Sequence, residues 1–155
     1  KQGYPIGYDT YYKARLKSDK LGWHIAPLFA EQKLYTLNTK RLPTLTSVLD
    51  QIGFTDVCAI NVLDPGQSLN WHIDKDYIPG VQLLRIIWGM DVSEGSCIQI
   101  LNDDYSVETR IMKNKEFYIF HPQSRHRVEN LGDSPRAVVC IDYITDAKYR
   151  KSGIL

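Results

Sequence analysis

The last hundred residues of the chain are cut into short apolar, β-branched segments by turn-forming residues, and this punctuation limits the fold more than any other feature. From Asp56 onward, strands are expected over residues 57–63, 67–73, 82–89, 97–101, 105–112, 116–120, 125–131 and 136–144. Between them stand Asp64-Pro65-Gly66, Ile78-Pro79-Gly80, Ser93-Glu94-Gly95, Asn102-Asp103-Asp104, Lys113-Asn114, Pro122-Gln123-Ser124 and Gly132-Asp133-Ser134. Glycine admits left-handed backbone, proline presets φ, and Asn, Asp and Ser side chains hydrogen-bond within their own turn. A parallel sheet needs helical crossovers between its strands, and there is almost no helical stretch here to supply them. The pattern predicts an all-β-dominated fold, an antiparallel sandwich or a double-sheet jelly roll.

The first 54 residues read differently, as irregular and helical support for a jelly-roll core over 55–145. Leu45, Val48, Leu49 and Ile52 recur at helical spacing behind Pro43, with Gly53 where a helix would stop, so a short amphipathic helix is expected there. Tyr4, Tyr8, Tyr11 and Tyr12 read as a lead-in packed by aromatic rings. At 155 residues the whole chain, 1–155, is expected to form a single domain.

Composition removes several classes of function. No apolar run approaches the roughly 18 residues of a membrane-crossing helix. Nineteen basic and eighteen acidic residues leave a net charge of +1, which argues against a nucleic-acid partner, since such binding usually needs a strong positive footprint. Cys58, Cys97 and Cys140 lie about 40 residues apart with no CxxC pair, which suits neither a zinc ribbon nor a disulfide framework. They are expected to be reduced core residues of a cytoplasmic protein, and Lys1-Gln2-Gly3-Tyr4-Pro5 lacks the order of a secretory leader.

The candidate chemistry begins at Asn70-Trp71-His72-Ile73-Asp74. Residues two apart on a strand share a face, about 7 Å between α-carbons, so His72 and Asp74 are placed to converge on one ion. Alone this is weak: four His among eighteen acidic residues yield roughly half an H-x-D/E match by chance. A second signal stands in His121-Pro122-Gln123-Ser124-Arg125-His126-Arg127-Val128-Glu129-Asn130. On a strand starting near Arg125, His126, Val128 and Asn130 share the less charged face, which favours His126 as third ligand over His121, whose neighbour Pro122 marks a strand end. Two His and one carboxylate on one side of a metal leave the remaining positions open, an arrangement suited to Fe(II) oxygenases.

Two arginines complete the set. Arg136 heads the apolar run Ala137 to Ile141, and Arg85 sits within Leu83-Leu84-Arg85-Ile86-Ile87-Trp88. A guanidinium facing a core needs an anion, either an acidic ligand or an internal Asp or Glu. Trp71, Tyr77 and Trp88 and the loop of residues 75–80 are candidate pocket-lining elements, although Trp71 alternates away from its ligand neighbours.

Together, His72-x-Asp74, His126 after a further 52 residues, and Arg136 ten beyond that resemble the Fe(II)/2-oxoglutarate-dependent oxygenases, whose motif is HxD…H with a following Arg on a double-stranded β-helix. The resemblance covers roughly residues 55 to 145 and includes the Pro65-Gly66 turn before the first ligand strand. Leu84-Arg85 and the stretch from His126 to Arg136 look most like the aspartyl/asparaginyl β-hydroxylase branch, some members of which lack the Asp present here at 74. The resemblance implies that His72, Asp74 and His126 bind iron, that Arg136 holds the distal carboxylate of 2-oxoglutarate, and that Arg85 is a secondary carboxylate contact. It further implies O2 as oxidant, succinate as co-product and hydroxylation of an unactivated C–H in an amino-acid, peptidyl or other small substrate. Asp74 argues against a related halogenase, which needs a small residue there. A cupin-like jelly-roll metal enzyme that does not use 2-oxoglutarate, and a non-catalytic jelly-roll binding module, are the competing readings.

Overall fold

The computed structural model describes residues 22–30, 33–52, 55–74 and 81–145. In chain order the elements are β1 (Trp23–Ala30), β2 (Lys33–Leu34), α1 (Thr36–Arg41), α2 (Pro43–Ile52), β3 (Thr55–Leu63), β4 (Ser68–His72), β5 (Leu83–Asp91), β6 (Ser96–Leu101), β7 (Val107–Ile111), β8 (Phe117–Phe120), β9 (His126–Asn130) and β10 (Arg136–Ile144). They pair antiparallel into a six-stranded sheet of order β2-β1-β3-β10-β5-β8 and a four-stranded sheet of order β4-β9-β6-β7. This is the jelly roll expected from the punctuation, and each expected strand is present with ends moved by up to two residues.

Burial follows from which faces are covered. The smaller sheet has one covered face, so β9 alternates, with His126, Val128 and Asn130 buried and Arg127 and Glu129 half-buried. Strand β10 lies between β3 and β5 and is covered on both sides. Its Val138 and Cys140 join Ile98, Phe120 and Val128 in the interior between the sheets, while Val139 and Ile141 pack outward with Leu49 of α2. Each such side chain contributes on the order of 1.5–3 kcal/mol by leaving water. By this alternation Arg136 and Asp142, both buried, share the inner face with Val138 and Cys140.

Helix α2 spans Pro43–Ile52, as its apolar spacing predicts, with proline in the first turn, where a missing N–H costs nothing. Leu49 is buried, Leu45 and Ile52 are partly buried against the outer cluster, and Val48 is exposed. The expectation of a merely irregular and helical first portion is corrected: β1 is a full strand of the larger sheet, paired with β3 along its length. Pro27 in its middle reads as a strand breaker, but a register shift between Pro27 and Phe29 absorbs the missing donor. Residues 25–30 are all buried, so no alternation announces the strand. The Tyr4, Tyr8, Tyr11 and Tyr12 cluster lies outside the described residues.

Gly89 is required by a close approach. An added Cβ would lie 2.2 Å from the backbone oxygen of Lys113. That contact tucks the turn before β8 against β5, where the Gly89 N–H donates to Glu116 O and the Lys115 N–H donates to Gly89 O.

Candidate metal centre

His72 and His126 are register partners across β4 and β9, and an irregularity in β4 makes them so. Leu69 is paired with Val128 and His72 with His126, so three steps on β4 oppose two on β9. Leu69 packs inward; strict alternation from it would turn Trp71 inward and His72 outward. The extra residue reverses this. His72 meets His126 with ring centroids 4.3 Å apart, and Trp71 goes to the outer face, where the Arg127 guanidinium lies 5.4 Å from its ring centre.

Asp74 lies two residues past the end of β4, held by its N–H donating to Pro122 O at 3.2 Å. Its carboxylate oxygens lie 3.7 Å from His72 Nε2 and 3.7 Å from His126 Nε2. One ligating atom from each of the three residues falls within 4.8 Å of the others. Bonds of about 2.1 Å put neighbouring ligands on a metal about 3 Å apart, so shifts of under about an ångström close the set around one ion.

Both rings are prepared to ligate. His72 Nδ1 is 2.6 Å from Asn70 O, and His126 Nδ1 is 2.8 Å from Ser124 O. A carbonyl only accepts, so each Nδ1 carries the proton and each Nε2 presents a bare lone pair. Burial holds the His126 imidazole below its ordinary pKa, favouring the neutral ring, and Phe120 meets it edge-on at 5.0 Å. Burial alone would raise the Asp74 carboxyl, but the guanidinium charge of Arg85, with smaller contributions from the two imidazoles and from the Arg85 hydrogen bond, brings it below the usual range. It is therefore held as an anion.

The two arginines have different surroundings. Arg85 donates from Nε and Nη2 to the two oxygens of Asp142, 2.7 Å each, and from Nη1 to Asp74 Oδ2. Its anions come from within the chain. Arg136 is 3% exposed, and Nε and Nη2 donate only to the Met112 thioether, at 3.2 and 3.1 Å. No carboxylate pairs with it among the described residues, and burial lowers it to about 10. A thioether is a weak acceptor, so a buried cation is left without an anion.

The remaining candidates fall elsewhere. His121 is exposed, its Nδ1 3.0 Å from Leu83 O, away from the cluster. Trp88 packs with Phe117 on the outer face of the large sheet. Tyr77 and the 75–80 loop lie outside the described residues. Cys58, Cys97 and Cys140 are free and buried. Asp142 and Met112 were not singled out from the sequence. A lone Asp within Cys140-Ile141-Asp142-Tyr143, at the alternate position that faces the core, was the available signal for Asp142; Met112 carried none. Among the described residues no helix is long and apolar enough to cross a membrane.

Solved structures with this fold include an oxidoreductase of the 2OG-Fe(II) oxygenase family from Burkholderia pseudomallei. It is 13% identical, with a TM-score of 0.67 over 93% of this chain and 78% of that one. A recombinant oxalate oxidase in complex with glycolate is 14% identical, with a TM-score of 0.56 over 83% of this chain, and the chain spans 54% of its length. Peruvianin-I, a cysteine peptidase from Thevetia peruviana latex, is 12% identical, with a TM-score of 0.55 over 99% of this chain and 73% of that one. At such identities the likeness is one of fold. No curated protein matches the chain. The family model for aspartyl/asparaginyl β-hydroxylase matches residues 7–146, nearly the whole length and all of the residues gathered around Asp74, so the chain belongs to the aspartyl/asparaginyl β-hydroxylase family.

Proposed function

We propose that the protein is a non-haem Fe(II)/2-oxoglutarate-dependent dioxygenase that hydroxylates an unactivated C–H of an amino-acid, peptidyl or other small substrate. Family membership supports an oxygenase of hydroxylase type. The observation that carries the finer reading is Arg136, a fully buried guanidinium whose only acceptor among the described residues is a sulfur. A dicarboxylate with one end on the metal and the other on Arg136 would supply the missing anion.

In this reading His72 and His126 bind the metal through Nε2 and Asp74 through a carboxylate oxygen. Ferrous iron and 2-oxoglutarate bound there would supply the oxidising power that places one oxygen of O2 on the substrate and the other in succinate, with loss of CO2. The Asn70 and Ser124 carbonyls fix the ring tautomers, and Phe120 shields the inner edge of His126 from water. The three free buried thiols support a cytoplasmic setting as part of the same proposal.

The test is anaerobic titration of the protein with Fe(II) and then 2-oxoglutarate, followed by succinate measurement against a panel of amino acids, peptides and nucleosides. A visible metal-to-ligand charge-transfer band and substrate-stimulated succinate are expected. Metal uptake without a band would point instead to a jelly-roll metal enzyme that does not use 2-oxoglutarate. No metal uptake would point to a binding module.

A further inference from the structure

We infer that Arg85, clamped by Asp142, is a positioning residue that sets how Asp74 meets the metal, keeping one carboxylate oxygen occupied so that the ion receives a single oxygen from it. The inference rests on His72, Asp74 and His126 being the metal ligands.

Asp74 needs such a device. The two histidines stand on paired strands and each ring is tied to a carbonyl two residues before it. Asp74 stands beyond the end of β4, with only its backbone N–H tied, to Pro122 O. Nothing in the sheet orients its side chain. The Arg85 fork supplies the missing restraint: Nη1 donates to Asp74 Oδ2, while Nε and Nη2 are both taken by Asp142.

Arg85 is itself held from behind. Asp142 and Arg85 are direct register partners on β10 and β5, so backbone pairing fixes both ends of the bidentate contact. The Asp142 side chain is 4% exposed and that of Arg85 15%, so water screens the pair poorly. Charge enters too. Arg85 alone would neutralise Asp74 and leave an arriving cation no net attraction; Asp142 absorbs the guanidinium charge and leaves the site one negative charge. Lysine would not reproduce this, because its compact ammonium lacks the planar fork that grips both oxygens of one carboxylate while reaching a second.

The experiment uses the full chain with Co(II) as an air-stable probe, followed by calorimetry and by its visible d–d absorption. Arg85→Lys and the isosteric Asp142→Asn should each weaken Co(II) binding about 10- to 100-fold and alter the d–d band, while circular dichroism shows folded protein. Folded variants that bind with wild-type affinity and band shape would overturn the inference. Should both fail to fold, metal-minus-apo difference infrared on the wild type decides: widely split carboxylate stretches, as for single-oxygen coordination, are expected, and the narrow splitting of two-oxygen chelation would overturn it. Absence of Co(II) and Fe(II) binding by the wild type would overturn the metal-centre reading itself; wild-type binding with unaffected variants would overturn this inference alone.

Discussion

His72 and His126 face one another across β4 and β9, and each donates its Nδ1 proton to the carbonyl two residues before it in the chain. One local device is thus used twice, on two strands far apart in sequence, to aim two Nε2 lone pairs at Asp74. With the rings oriented in advance, binding of the proposed ion would not have to meet the full entropy cost of ordering them.

His126→Ala should lower Fe(II) or Co(II) affinity by more than the roughly 10- to 100-fold typical of residues that touch only a ligand. His121→Ala should leave it within about twofold, because His121 is exposed and bonded to Leu83 O. Metal content by elemental analysis after matched loading checks both. Equal losses would move the third ligand away from β9.

Arg136→Met should separate stability from function. Replacing an unpaired buried cation by an apolar side chain of similar length is neutral or stabilising by up to about 4 kcal/mol, so the melting temperature of the metal-free protein should hold or rise. 2-Oxoglutarate should stabilise the metal-loaded wild type and have no effect on the variant, with metal affinity unchanged. Thermal unfolding with and without the keto acid reads all three. A variant that melts well below the wild type would make Arg136 a folding residue.

Alkaline pH should act through Cys140. Burial pushes its thiol from 9.0 up to about 12. Between those values the unfolded chain releases this proton and the folded protein keeps it, so stability falls as pH rises through the window, with a limiting slope of about 1.4 kcal/mol per pH unit. The stability of wild type relative to Cys140→Ala should therefore be constant below about pH 8 and decline above 9. Denaturant titrations of both proteins across that range are the measurement, and parallel curves would refute the assignment.

Asn130 should be the most costly polar residue to remove outside the His72–Asp74–His126 cluster. Its side-chain N–H groups reach Leu63 O, Asp64 O and Ser134 O at 2.9, 3.1 and 2.9 Å, and its Oδ1 accepts from Ser93, Ser96 and the Gly132 N–H. It joins the end of β3, the turn after β5 and the turn that delivers Arg136. Asn130→Ala strands several buried groups and should cost about 2–4 kcal/mol. Chemical denaturation checks this, and metal affinity of the folded fraction should stay at the wild-type value.

The strands of residues 55–145 were legible because turn residues with definite backbone reasons separate them, and α2 because its apolar spacing is undisturbed. His126 was legible as an inward residue because β9 alternates cleanly. Strand β1 was not, since Pro27 and unbroken burial remove both of the usual signals. His72 and Asp74 were expected to share one face of one strand. Asp74 instead lies off the strand end and His72 turns inward through a register irregularity, a change of pairing that no residue type in Asn70-Trp71 announces. The choice of anion for each arginine was equally hidden. It depends on which residue of a distant strand stands opposite: Asp142 for Arg85, and at Arg136 only Leu63 across β3.

The extra residue in β4 has a consequence for how such a centre is gained or lost. A descendant in which β4 paired residue for residue with β9 from Leu69 onward, without the irregularity, would keep both histidines, the aspartate and the arginine with their spacing intact, yet turn the first imidazole out to solvent and bring an indole in. A motif search would still find every ligand in such a descendant, and the ion would have nowhere to sit. In this architecture the proposed ability to hold a metal is set by how the strands pair as much as by the identities of the ligands.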